Sequence, residues 1–254
     1  MSQPNPFLSS GSNAPSGAVS GDGPRGVDAG QGWAWIVGGF ELFKKQPGMW
    51  IGIIVLMFVI AIVLSIIPLL GSIALLLLMP VFGGGLMLGC RSVAGGGPLE
   101  IAHLFAGFKN HTGNLVILGA LSIGAWIVVM LPVMAIVGFG AFFGASQGGA
   151  AGAGGVGASF LLAFLIAFGL SVLIYMALWF APALVVLRGM APIAAVKASF
   201  SGCLKNIVAF LIYGGIAFVL AIVAAIPFGL GWLVLGPVMA GSIYVAYRDI
   251  YGDS

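Results

Sequence analysis

The chain has 254 residues, 61% of them hydrophobic and 6% charged, with nine basic and six acidic side chains. A soluble domain is about one quarter charged, so composition excludes an ordinary water-soluble fold, and a mean hydropathy of +1.20 names lipid as the main solvent. The net charge of +3 is too small to suggest nucleic-acid binding, and two cysteines, Cys90 and Cys203, make no disulfide framework.

In chain order, residues 1–31 are rich in Ser, Gly, Pro and Asn, lack the apolar run of a signal peptide, and read as a disordered tail. In "GWAWIVGGFELFKK" (32–45), Trp33, Val37 and Phe40 form an apolar stripe, and Glu41 and Lys45 make an i,i+4 pair outside it. Three intervals without Asp, Glu, Lys or Arg follow: Gln46 to Cys90, Asn110 to Leu187 and Asn206 to Tyr247. One helical span needs about 20 apolar residues. Each interval therefore holds two spans, at 48–67 and 72–90, at 115–141 and 160–187, and at 207–226 and 231–247. The Gly/Ala run "GASQGGAAGAGGVGAS" (144–159) is expected to be the loop of the middle pair.

An even number of spans in each interval returns every charged segment to one side. All nine Lys and Arg residues then share a face, which the positive-inside rule makes cytoplasmic. The expectation is an all-α, polytopic inner-membrane protein of six transmembrane helices with both termini cytoplasmic. Its parts are the tail at 1–31, a six-helix domain at 32–248 and a cytoplasmic tail at 249–254.

The charged segments also repeat. Lys44, Lys109 and Lys205 each precede a span, and Pro68, Pro132 and Pro227 follow at 24, 23 and 22 residues. "LMPVFGGGLMLGCR" (78–91) and "LGPVMAGSIYVAYR" (235–248) share L-x-P-V-x-x-G and a closing Arg, and Lys-Asn recurs at 109–110 and 205–206. These matches predict three copies of an amphipathic surface helix followed by a helical hairpin. "PLEIAHLFAGFKN" (98–110) and "APIAAVKASFSGCLKN" (191–206) supply the other two surface helices, which suit an anionic headgroup layer. Gly85/Gly89 and Gly140/Gly144 are G-x-x-x-G pairs, read as packing within the chain. The "GGG" at 83–85, beside Pro80, offers a place for the second span to unwind.

No Asp, Glu, Lys or Arg falls inside a proposed span, which argues against a proton- or ion-coupled carrier. His103 and His111 lack the Cys or acidic neighbours of a metal site, and no nucleophile–base pair or phosphate loop is present. No catalytic residue, metal ligand or cofactor is assigned, and the protein is expected not to be an enzyme. The residues placed to contact lipid head groups are Lys44, Lys45, Arg91, Lys109, Arg188, Lys197, Lys205 and Arg248. The expected partners are membrane lipids, with a protein partner or a second copy left open. The expected role is to organise or contact lipids or proteins through the surface helices. The alternative is a carrier or channel for a neutral or lipid-like substrate, which a cavity lined by Ser65, Ser122, Tyr175 or Tyr213 would favour.

The run "WFAPALVVLRGMAPIAAVKASFSGCLKN" (179–206), with Trp33 and "PGMW" at 47–50, resembles an uncharacterised family of six-span proteobacterial inner-membrane proteins. That family is similar in pattern to the membrane domain attached to some glycerophosphodiester phosphodiesterases. The resemblance covers about residues 32–248 and implies an inner-membrane location without catalytic residues. No phosphodiesterase domain stands within these 254 residues, so that activity does not carry over.

Overall fold

The computed structural model describes residues 23–109 and 111–252. The expected tail thus lies outside the described residues up to position 22. Ten α-helices carry the fold, with no strand among the described residues: α1 Gln31–Lys45, α2 Pro47–Ser65, α3 Leu70–Ala94, α4 Ile101–Leu104, α5 Thr112–Gln147, α6 Gly149–Leu178, α7 Ala181–Arg188, α8 Pro192–Lys205, α9 Ile207–Ala225 and α10 Trp232–Tyr251. A 3-10 turn, Ala106–Phe108, continues α4.

Among the described residues, five segments are long and apolar enough to cross a membrane: α2, α3, α5, α6 continued through α7, and α9. The helix α10 has 20 residues, but Arg248 and Asp249 in its last turn and Pro237 inside it lower its apolarity.

The core lies where α3, α7 and α10 meet, with α1, α4 and α8 packed around them; Trp35, Trp50, Leu104, Phe180, Leu184 and Ile250 are fully buried there. The short elements follow one pattern. Helix α4 and the 3-10 turn pack on α3, α8 packs on α6 and α7, and α1 packs on α10. Each surface element thus rests on the helix that closes the hairpin before it, and α1 completes the ring by resting on the last.

Glycine permits these crossings. A Cβ on Gly39 of α1 would overlap the Val238 carbonyl of α10, one on Gly85 would overlap the carbonyls of His103 and Leu104, and one on Gly107 would overlap the Val81 carbonyl. Backbones this close gain dispersion contacts that larger side chains would prevent, and such contacts carry helix association in lipid. Gly85 and Gly140 both serve packing within the chain, as expected from their spacing: Gly140 faces Ser159 across the α5–α6 hairpin.

Four expectations need correction. The run 144–159 is helical except at Gly148, whose φ of 60° makes the turn between α5 and α6. Alanine outweighs glycine's entropic cost there because each helix extends an already nucleated neighbour. Helix α5, at 36 residues, is about 54 Å long. That length exceeds the about 30 Å hydrocarbon core, so α5 fits a bilayer only by tilting or projecting.

The "GGG" at 83–85 does not unwind its span, because α3 runs unbroken from Leu70 to Ala94 through Pro80. The break falls instead in the fourth span, at Trp179–Phe180. There Ser199 of α8, fully buried, accepts a hydrogen bond from Phe180 N–H at 3.0 Å and donates one to the Met176 carbonyl at 2.8 Å. Its hydroxyl stands in the i→i−4 ladder where the direct backbone bond would be, which is a recognised cause of helix breaks. The segment 98–110 also forms less helix than expected. Only Ile101–Leu104 is α-helical, closed at its start by a capping box between Glu100 and His103.

Candidate functional site at the basic face

The surface elements have apolar residues turned outward. Trp33, Val37 and Phe40 of α1 are exposed, as are Ile101, Phe105, Phe108 and Ile193 on the other two. The opposite stripe of α1, with Trp35, Ile36, Leu42 and Phe43, is buried in the core. Each of these elements is thus buried on one side and apolar on its exposed side.

Cross-links draw the basic ends together. Lys45 Nζ donates to the Val93 carbonyl at 3.1 Å. Gln46, at the α1–α2 corner, donates to the Gly97 carbonyl at 3.1 Å and accepts from Leu99 N–H at 2.8 Å. Asn206, nearly fully buried, accepts from Val27 N–H at 2.7 Å and donates to the Arg25 carbonyl at 2.9 Å. Arg25 N–H in turn donates to the Ile250 carbonyl at 2.7 Å. The described part of the N-terminal segment is thereby fastened across the ends of α8 and α10. Trp35 Nε1 donates to Asp249 Oδ2 at 2.7 Å, tying α1 to the end of α10.

The expected lipid-contacting residues divide by environment. Lys44, Lys45, Arg91, Lys109, Lys197, Lys205 and Arg248 are exposed, and Arg188 is half-buried. Glu41 pairs with Lys44, three residues on at 2.7 Å, and not with Lys45, which is held by Val93. Lys44 also lies 5.3 Å from the centre of the Phe40 ring, and Arg248 lies 5.9 Å from that of Tyr244. Arg188 donates through Nη2 to the Tyr251 carbonyl and lies over the Tyr251 ring at 5.8 Å. The sequence gives no sign of Arg25 and Asn206 as organisers of this face, because both act through backbone groups about 180 residues away.

Among the described residues, no three His, Cys, Asp or Glu side chains gather as a metal site. His103 Nδ1 accepts from Glu100 N–H at 3.0 Å and so serves the cap of α4. Cys203 is buried, and burial pushes its thiol up to about 12.

Apolar grooves score the outer surface. One of about 390 Å³ lies between α6, α8 and α9 and includes Tyr175, Trp179, Phe210 and Tyr213. Another, of about 520 Å³, lies under α1 between α9 and α10, with Trp33, Phe40, Pro227 and Val234 in its walls. The Tyr213 hydroxyl is used internally, 2.7 Å from that of Ser242. Ser65 and Ser122 bond back to their own helices, at Ile62 and Leu118. Of the four polar residues expected to mark a cavity, Tyr175 and Tyr213 share a groove, Ser122 is buried within the packing, and Ser65 is exposed.

A probable inner membrane protein of Burkholderia thailandensis is similar to this chain. It is 29% identical over 256 residues, covering 89% of this chain and 93% of that protein. No protein-family profile matches the chain, and no solved structure matches it significantly. The likeness and the five apolar helices together place the chain among integral inner-membrane proteins of bacteria.

Proposed function

We propose that this is a non-enzymatic inner-membrane protein that holds anionic phospholipid at a ring of interfacial elements on its cytoplasmic face. The carrying observation is α1, whose outward stripe of Trp33, Val37 and Phe40 ends in Lys44 and Lys45. Apolar side chains at acyl depth below cations at headgroup depth make a surface complementary to such a lipid. In this reading α10 is the sixth span, its charged pair lying at the interface, and both termini are cytoplasmic.

The repeated unit receives support from the far turns. Leu69 follows Pro68 with φ 63°, and Phe228 follows Pro227 with φ 53°, so in the first and third hairpins the residue after the proline takes a positive φ, uncommon outside glycine. A second reading, a carrier for a lipid-like molecule, draws on the groove holding Tyr175 and Tyr213.

Two experiments test the proposal. Single cysteines on a background lacking Cys90 and Cys203 are expected to label from the periplasm at Ser146 and Phe228, and from the cytoplasm at Ser201 and Gly95. Labelling of Ser146 and Ser201 from one side overturns the topology. Native mass spectrometry of gently extracted protein is expected to retain phosphatidylglycerol or cardiolipin in preference to phosphatidylcholine. Equal retention of all three sinks the lipid reading, and flux of a lipid analogue in liposomes favours the carrier.

A further inference from the structure

Arg25 and Arg188 approach the same peptide unit from different parts of the chain. Arg188 Nη2 donates to the Tyr251 carbonyl, and a Cβ on the next residue, Gly252, would meet Arg25 Nη2. Lys205 stands beside them, its Nζ donating to the Pro24 carbonyl at 3.0 Å and its Cε within 3.7 Å of a Cβ built on Gly26.

Three cations thus surround the crossing of the 24–26 segment with the end of α10. Among the described residues none of the three has a carboxylate within salt-bridge distance. The acidic residue on the last turn of α10, Asp249, is bonded to Trp35. Arg188 Nε is buried with no hydrogen-bond partner, although a buried donor left unpaired is destabilising. Guanidinium groups that converge on one peptide unit repel, and an anion bound between them offsets that repulsion.

From this we infer that Arg25, Arg188 and Lys205 form a binding site for a phosphate-class anion, either a phospholipid head group or a soluble phosphate. Guanidinium suits the role because its planar fork of donors matches phosphate oxygens. The inference narrows the lipid-contacting reading to one place and adds Arg25, which the spacing of the spans does not mark. Asn206 sets that residue in position: its side chain holds the backbone on both sides of Gly26, at Val27 N–H and the Arg25 carbonyl.

The test uses the full chain in nonionic detergent, with thermal unfolding in inorganic phosphate, in pyrophosphate, and in micelles doped with phosphatidylglycerol or phosphatidylcholine. At least one anionic probe is expected to stabilise the protein, with apparent affinity falling at least tenfold in Arg25→Gln and in Arg188→Gln. Ser65→Ala, exposed at the C-terminal end of α2 and outside any basic cluster, is expected to change it less than twofold. Arg25 is exposed, so Arg25→Gln reads the site even if Arg188→Gln fails to fold. Stabilisation by phosphatidylglycerol alone identifies a head group, and stabilisation by free phosphate identifies a soluble ligand. No stabilisation by any anion, or equal stabilisation of wild type and Arg25→Gln, overturns the site. Preferential retention of anionic lipid that Arg25→Gln leaves unchanged would refute this site and keep the broader lipid reading.

Discussion

The Ser199 hydroxyl accepts a hydrogen bond from Phe180 N–H at 3.0 Å, and by doing so fixes where the fourth span ends and how α8 lies against it. The same oxygen donates its proton to the Met176 carbonyl at 2.8 Å, so one side chain satisfies both halves of a broken backbone bond. In lipid an unsatisfied backbone group costs several kcal/mol. The break is therefore tolerable only with α8 in place, and Ser199→Ala is expected to lower stability by about 2 kcal/mol. The exposed neighbour substitution Ser201→Ala should leave it unchanged within about 0.5 kcal/mol. Thermal unfolding in detergent checks both, and equal effects would refute the bridging role.

Gly39 and Gly52 differ in what surrounds them. A Cβ at Gly39 would run into the backbone of Val238 and Ser242, whereas one at Gly52 meets nothing within 4 Å. Gly39→Ala is expected to cost about 1–3 kcal/mol by forcing α1 away from α10. Gly52→Ala, within helix α2, should stabilise by up to about 1 kcal/mol. Fluorescence-detected size-exclusion after heating ranks them; the opposite order would mean α1 does not lie against α10.

The Trp35–Asp249 hydrogen bond joins the first described helix to the last, and a charged acceptor makes it worth about 1.5–3 kcal/mol. Asp249→Ala should lower the unfolding temperature more than Asp249→Asn, which keeps an acceptor oxygen. Near-ultraviolet circular dichroism of the buried indole should change in the alanine variant.

Cys203 is expected to resist alkylation in the native protein. Burial raises its thiol from 9.0 to about 12, so the reactive thiolate is scarce at pH 8. A maleimide should label it at least about a hundredfold more slowly than a cysteine placed at Ser201, and at the same rate once denatured. The sign for stability follows from the raised value. The unfolded chain ionises first, so the contribution of the neutral thiol is complete below pH 9.0 and is lost as pH rises from there toward about 12. Rapid native labelling at pH 8 would contradict the burial.

The membrane class was legible in the sequence because lipid leaves a linear record: apolar runs of span length, and charge confined between them. The surface helices α1 and α8 were legible from their two-faced patterns, one side of each being buried in the protein and the other exposed. The course of 98–110 was not, since its capping box and its descent along α3 depend on Gly85 and Gly107 meeting backbone from another element. Nor was the helical state of 144–159, where glycine content suggests a loop and the neighbouring helices carry the structure through to Gly148.

The sequence by itself determined the solvent, the position of nearly every long helix and the residues able to carry charge at a membrane surface. These follow from each residue's own transfer preference and its near neighbours. Tertiary structure alone decided which helix ends meet, because hydrogen bonds such as Asn206 to Val27 and Arg188 to Tyr251 depend on distance in space. It brought Arg25 and Arg188 to one peptide unit at the end of α10 and laid Lys205 against residues 24–26. Like charges gather only where packing holds them, and packing is a property of the whole chain.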